Sequence, residues 1–335
     1  MKSNTKNLLS EEQIKRLVKV NFGDSCEVSN IVELKGGMFN SAYLIERSKE
    51  KDKIVLKVSL APGTRTLTYE QDPMPTEVEV YKLVSEKTHI PAPRILSYDF
   101  SKKHIPSNYF FMTALEGVAM NKVMKQLSKD NLEKIKMELA SYFAQLHQIK
   151  GNYFGYFTDN QKYQYQTWKE AFLHMMDMIL QDGRTHKVKL PYDRIEQMLQ
   201  KKAVYLENIK EPALIDYDLW PGNIFLKKDG DQYVIEGIID FERAFWGDPF
   251  ADFPPAFMLI KGITNESNFW KAYSEAAMIS PNITKEDEIR LSLYALYIWT
   301  IMAMETFRYG FLYSFIQGSL SKSFVMKHLK ELEQE

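Results

Sequence analysis

The chain has 335 residues, 45% of them hydrophobic, which is enough for two lobes and more than one core. Its 43 Lys and Arg nearly cancel its 44 Asp and Glu, a formal net charge of -1 that gives no basic footprint for nucleic acid and no polybasic membrane signal. The single cysteine, Cys26, excludes an intrachain disulfide, and neither a Cys/His zinc pattern nor an HExxH motif is present.

Taken in chain order, the first ten residues lack the apolar core of a secretory signal, so the expected location is cytoplasmic. Ser10 with Gln13 three residues on reads as a capping box, opening a short helix with Ile14, Leu17 and Val18 on one face. Two β-like runs, 28–34 and 41–46, flank Lys35-Gly-Gly-Met-Phe-Asn40, and Ile54-Val-Leu-Lys-Val58 reads as a buried strand. Residues 76–86 have helical spacing, with Val80, Leu83 and Val84 apolar, and Pro91-Ala-Pro93 stops them. Tyr109-Phe-Phe-Met112 reads as a further strand, and Glu116-Gly117 marks a turn that is taken as the lobe boundary. The remainder is mostly helical, with strong periodicity over 132–148 and a helical part from about 254 onward. A strand–loop–strand element over 214–240 interrupts it, with Asp229-Gly230 at its hairpin. The apolar run 293–304 is too short to span a bilayer and reads as a buried helix.

The interrupting element carries the chemistry. Asp218 and Asn223 stand in Asp216-Tyr-Asp-Leu-Trp-Pro-Gly-Asn223, and Asp240 follows in Ile238-Ile-Asp-Phe-Glu242, ahead of Gly247-Asp-Pro249. One carboxylate can orient a hydroxyl, while an amide oxygen and a second carboxylate suit a hard cation held against phosphates. Alone, Asp218 and Asn223 also fit a polar turn around Pro221-Gly222. Asp240 on a following strand, with Gly-Asp-Pro after it, favours phosphoryl transfer.

These residues resemble the aminoglycoside phosphotransferase and choline kinase family of small-molecule kinases, by motif from residue 31 to 252. The resemblance implies an α+β, protein-kinase-like fold. A small, mainly antiparallel nucleotide-binding lobe (1–115, hinge near 112–117) would precede a larger, mostly helical lobe (116–335). It implies Asp218 as catalytic carboxylate, Asn223 and Asp240 as Mg2+ ligands, and Lys57 paired with Glu77 at the phosphates of ATP or GTP. Gly36, Gly37, Asn40 and Ser41 resemble a nucleotide-covering loop, and Met112, Ala114 and Leu115 a hinge for the adenine edge. Asp248 and Asp252 match loop-scaffold residues, with Asp252 placed to cap the helix that Pro254 begins.

Lys57 also fits an exposed strand-edge lysine, the glycine pair a simple turn, and the hinge an ordinary strand end. Tyr153-Phe-Gly-Tyr156, Trp168 and the stripe Tyr294, Tyr297, Ile298, Ile301 read first as core aromatics. One position departs from the family: Asp216 stands where a His usually opens the loop. In an extended segment Asp216 and Asp218 would share a face and raise one pKa, leaving Asp216 protonated or turned to accept backbone N–H groups. The expected partners are a nucleotide and a small hydroxyl-bearing molecule, with neither nucleic acid nor membrane. One rival is a silent nucleotide-binding module, suggested by Asp216. The other is a Ser/Thr protein kinase, for which no APE-like segment follows Asp240.

Overall fold

The computed structural model describes residues 6–35, 39–70, 73–260, 262–308 and 310–334. Helix α1 (Glu11–Phe22) opens with the expected capping box between Ser10 and Gln13. Five antiparallel strands come next: β1 (Val28–Glu33), β2 (Ser41–Arg47), β3 (Asp52–Val58), β4 (Ile95–Asp99) and β5 (Tyr109–Thr113), in the order β1-β2-β3-β5-β4. The edge strand β4 alternates between half-buried and exposed positions, a signal too weak to mark it as a strand from sequence.

The period of two along β3 divides its side chains between two cores. Ile54, Leu56 and Val58 join Ile14, Leu17 and Val18 of α1 in one apolar cluster. Val55 joins the opposite cluster, with Val78 and Tyr81 of helix α2 (Met74–Lys87). Lys57 alternates with Leu56, so its stem leaves the sheet on the α2 side.

After β5 the Ala114 N–H donates to the Lys53 carbonyl at 3.2 Å. The Glu116 and Gly117 N–H groups then donate to the two carboxylate oxygens of Glu236, at 3.0 and 2.6 Å. Strand β6 (Val118–Ala119) comes immediately after them. Two small sheets lie among the helices. One has the order β10-β9-β6, with β9 (Ile224–Asp229) and β10 (Gln232–Ile238) forming the hairpin. The other is β7 (Gly155–Tyr156), β11 (Phe245–Gly247) and β8 (Ala213–Ile215), in that order. Loop 216–223 therefore joins β8 to β9, and loop 239–244 joins β10 to β11. Both loops bridge the same two sheets, which brings their side chains together.

The helices are α3 (Met120–Val123), α4 (Lys129–Gln148), α5 (Trp168–Thr185), α6 (Tyr192–Lys202), α7 (Phe257–Ile260), α8 (Asn268–Ala277), α9 (Lys285–Met304) and α10 (Phe311–Gln334). The run 293–304 lies in α9, which is buried almost all round, as its apolar sequence requires. Trp168 and Tyr294 are fully buried core aromatics. Among the described residues no helix is long and apolar enough to cross a membrane.

Gly117 has no room for a side chain: an added Cβ would stand 2.3 Å from the Leu226 carbonyl oxygen and 2.5 Å from Glu236 Oε2. Gly117→Ala is expected to lower stability by about 1–3 kcal/mol through overpacking, read by denaturant unfolding. An unchanged midpoint would contradict this clamp.

Candidate active site

Lys57 Nζ donates to Glu77 Oε2 at 2.7 Å and to Asp240 Oδ1 at 2.6 Å, and lies 3.4 Å from Glu242 Oε2. Burial alone would lower the Lys57 pKa, but Asp240, Glu77 and Glu242 outweigh it and hold it well above the usual value. Burial pushes Glu77 up to about 7 despite Lys57, with Asp240 adding to the rise. Burial and then Asp240 push Glu242 up to about 8, against the pull of Lys57. Three carboxylates thus share one ammonium.

Asp240 adopts a left-handed backbone, φ 74°. It is pinned there by its N–H donating to the Tyr81 hydroxyl at 3.1 Å and by the Ile239 N–H donating to the Asn223 carbonyl at 2.9 Å. Asn40 Nδ2 donates to Glu242 Oε2 at 2.8 Å. Asn40 Oδ1 and Ser41 Oγ are buried without a partner among the described residues. Gly36 and Gly37 lie outside the described residues. Met112 is buried in β5. The Ala114 N–H is committed to the Lys53 carbonyl, which leaves its own carbonyl as the Ala114 group open to a base.

Loop 216–223 turns sharply at Tyr217, φ 61°. A left-handed backbone costs a non-glycine residue about 1–2 kcal/mol, and Asp252 offsets this. Its carboxylate accepts the Asp216 and Tyr217 N–H groups at 3.1 and 2.6 Å and pairs with His147 Nε2 at 2.9 Å. Asp252 therefore clamps the loop and does not cap a helix. Asp248 caps the short 3-10 turn Pro249–Asp252: it accepts the Phe250 N–H at 3.1 Å and is held by Arg290 and the Tyr294 hydroxyl.

The turn also separates the two aspartates that an extended chain would place on one face. Asp218 keeps a quarter of its side chain exposed, while Asp216 is buried. Asn223 Nδ2 donates to the Asp218 carbonyl and to Asp218 Oδ2, both at 3.0 Å. Burial pushes Asp218 up to about 7, with Arg243 pulling down and Asp240 and Glu305 pushing up.

Neither Asp216 oxygen has a hydrogen bond of ordinary geometry among the described residues, although the Asp218 backbone N–H lies close enough to pull its pKa down slightly. Burial, then Asp252, Asp218 and Asp240, hold its carboxyl well above the usual range, which favours the neutral acid. As pH rises past its ordinary value of 3.8, the folded chain keeps a proton that the unfolded chain loses, and stability falls. Asp216→Asn is expected to keep the fold and to flatten that decline, as measured by denaturant unfolding from pH 5 to 8. A steeper decline would contradict a raised Asp216 pKa.

A family model described as a phosphotransferase enzyme family matches residues 30–280. The chain belongs to this family. No curated protein matches the phosphotransferase chain. Solved structures do, over nearly their whole length. A protein of Ralstonia eutropha JMP134 described as an aminoglycoside phosphotransferase is 11% identical with a TM-score of 0.68, covering 97% of this chain and 98% of its own. A thermostable mutant of aminoglycoside phosphotransferase APH(4)-Ia, in ternary complex with AMP-PNP and hygromycin B, is 17% identical with a TM-score of 0.61, covering 95% and 98%. The streptomycin–ATP ternary complex of APH(2″)-IIa is 14% identical with a TM-score of 0.57, covering 98% of both chains. These likenesses give the phosphotransferase the protein-kinase-like α+β fold.

The phosphotransferase also gathers residues that no sequence motif singled out. Glu242 was findable, since it stands two residues after Asp240. Arg243 Nε lies 3.6 Å from Asp218 Oδ1, and Arg243 Nη2 bonds Glu305 Oε1 at 2.6 Å. A strap after β3 crosses to the helical part. Thr68 donates twice to Asp182 at 2.7 Å, Tyr69 stacks on Tyr156 at 5.9 Å, and Glu70 pairs with Arg308 at 2.5 Å. Glu305 lies 62 residues from Arg243, and Arg308 238 residues from Glu70, so no local spacing announces either pair.

Proposed function

We propose that this chain transfers the γ-phosphoryl of ATP or GTP to a hydroxyl of a small molecule. One observation carries the reading: Lys57 bonds Asp240 across the two parts of the fold, while Asn223 ties loop 239–244 to Asp218. Family membership supports a small-molecule phosphotransferase. The AMP-PNP and ATP complexes of similarly folded proteins support a nucleoside triphosphate donor.

Lys57, kept in line by Glu77, takes the phosphate oxygens. Gly36, Gly37, Asn40 and Ser41 cover them, and the Ser41 hydroxyl, buried without a partner among the described residues, is a donor suited to a phosphate oxygen. Met112, the Ala114 carbonyl and the Leu115 backbone take the adenine edge, at a hinge over 112–117 between a nucleotide lobe (1–115) and an acceptor lobe (116–335).

Asn223, Asp240 and Glu242 offer hard oxygen donors beside an excess of carboxylate, which fits Mg2+. Bound there, Mg2+ supplies charge neutralisation for the phosphates. Asp218 orients the acceptor hydroxyl and takes its proton late, with Asp216, Asp248 and Asp252 fixing the loop behind it. Strand β11 begins five residues after Asp240, which leaves no room for a protein-kinase activation segment. A cytoplasmic setting accords with a nucleotide-dependent enzyme whose one cysteine is a buried free thiol.

The test is ADP or GDP release with magnesium across aminoglycosides, macrolides, sugars and amino alcohols. Acceptor-dependent release is expected for at least one class. Tight nucleotide binding with no stimulation by any acceptor would favour a silent module instead, and turnover restored by Asp216→His would trace the silence to that position.

A further inference from the structure

Strand β10 is irregular at one place. Ile235 faces Leu226 of β9 and Gly237 faces Phe225, so Glu236 is an extra residue between two paired ones. A bulge of this kind re-aims the side chain it carries. Here it sends the half-buried Glu236 carboxylate to the segment after β5. One oxygen accepts the Glu116 N–H at 3.0 Å and the other the Gly117 N–H at 2.6 Å. Among the described residues no cation pairs with this carboxylate, and the two backbone donors take both of its oxygens. Hydrogen bonds to an ionised acceptor are the strong ones, and two of them on adjacent N–H groups fix the backbone they hold.

The rest of the segment is committed as well. The Thr113 N–H donates to the Arg94 carbonyl at 3.0 Å and the Ala114 N–H to the Lys53 carbonyl at 3.2 Å. Over 113–117 that leaves Leu115 as the residue whose N–H has no partner among the described residues. Its side chain also packs on the bulge: a Cβ added at Gly237 would stand 2.8 Å from Leu115 Cδ1. Just beyond β10 the same chain places Asp240 against Lys57.

We propose that Glu236 is a positioning residue for the nucleotide. By holding Glu116 and Gly117 it presents the Leu115 N–H as the single hinge donor to an acceptor atom on the purine edge. This rests on the kinase reading and assigns its donor site a further residue. Binding sites fix a ligand with a few placed backbone groups, and a donor ordered in advance spares the ligand that cost. The bulge also refers the base end of the nucleotide, and its phosphate end at Asp240, to one strand.

Calorimetry with the full chain compares AMP-PNP and GMP-PNP, which carry a base, with magnesium tripolyphosphate, which carries none. Glu236→Gln keeps one acceptor oxygen and turns an amide NH2 against the second backbone N–H, and Glu236→Ala removes both acceptors. Affinity for the preferred analogue is expected to fall about tenfold in the first and further in the second, with tripolyphosphate affinity within about twofold of the parent. Amide exchange in the unsubstituted chain gives a second reading that needs no variant. Glu116 and Gly117 should be protected before nucleotide is added, and Leu115 only after. Analogue affinity unmoved by both substitutions, or Glu116 and Gly117 amides that exchange freely until nucleotide binds, overturns the proposal and leaves the kinase reading intact. Equal losses for the analogues and tripolyphosphate show a general disturbance of the site and overturn it as well. A parent chain that binds neither analogue removes the kinase reading, and the proposal with it.

Discussion

Asp218→Asn is expected to lower turnover by about a thousandfold while nucleotide affinity stays within about twofold. Asparagine keeps an oxygen for the Asn223 amide, so loop geometry survives. It loses the proton acceptor and the attraction to Arg243, 3.6 Å away. The pH dependence makes the test sharper. With its carboxyl pushed up to about 7, Asp218 is ionised only above that value in the free enzyme, so kcat/KM should fall as pH drops below about 7. The variant should lack this limb. Its stability should move the other way. The folded-state pKa is raised, so ionised Asp218 destabilises the native chain as pH climbs from 3.8 through about 7, and a neutral amide removes that cost. A variant as active as the parent, or one that also loses nucleotide binding, would count against Asp218 as the base.

Lys57→Met should give the largest loss of stability. Removing one partner of a buried ion pair typically costs about 3–5 kcal/mol, because the remaining charge is stranded. Here Glu77, Asp240 and Glu242 would be stranded together. Protonation softens the loss at low pH. Glu77 at about 7 and Glu242 at about 8 already lie above their usual 4.5, so the native chain holds protons through this window that the unfolded chain has lost. Stability therefore falls as pH rises from about 4.5 to 8, and without Lys57 the fall should steepen and extend further upward. Turnover should drop by at least about a hundredfold with the phosphate contact gone. Adding Glu77→Gln should recover part of the stability and none of the turnover. Denaturant midpoints at pH 6 and 8 check the first claim, and equal losses at both would contradict it.

The part of this site legible in the sequence is the part held by short-range spacing. Asp218, Asn223 and Asp240 belong to one strand–loop–strand element, and their order along the chain is nearly their order in space. The pairing of Lys57 with Glu77 also comes from a local rule, since β3 sends alternate side chains toward α2. The backbone reversal at Tyr217 was not legible, because a non-glycine left-handed residue leaves no mark in composition. That reversal is why the extended reading of Asp216 and Asp218 fails. It is also why Asp252, expected at a helix cap, is needed as the acceptor for two adjacent N–H groups. The Arg243, Glu305, Arg308 and Glu70 network joins the strap after β3 to the end of α9, and only the packed fold brings those segments together. Four strands of the first sheet and helices α2, α4 and α9 were readable from residue pattern, whereas the edge strand β4 alternates too weakly and two-residue strands such as β6 and β7 are too short to carry one.

The most direct test tracks the phosphoryl group itself. The chain is incubated with magnesium and γ-labelled ATP or GTP in the presence of each stimulating acceptor, and the products are resolved by mass spectrometry. The expected result is label on an acceptor oxygen, in step with nucleoside diphosphate formed, and absent with Asp218→Asn. Label found only in inorganic phosphate, or formed equally by the parent and the variant, would contradict a kinase built around Asp218.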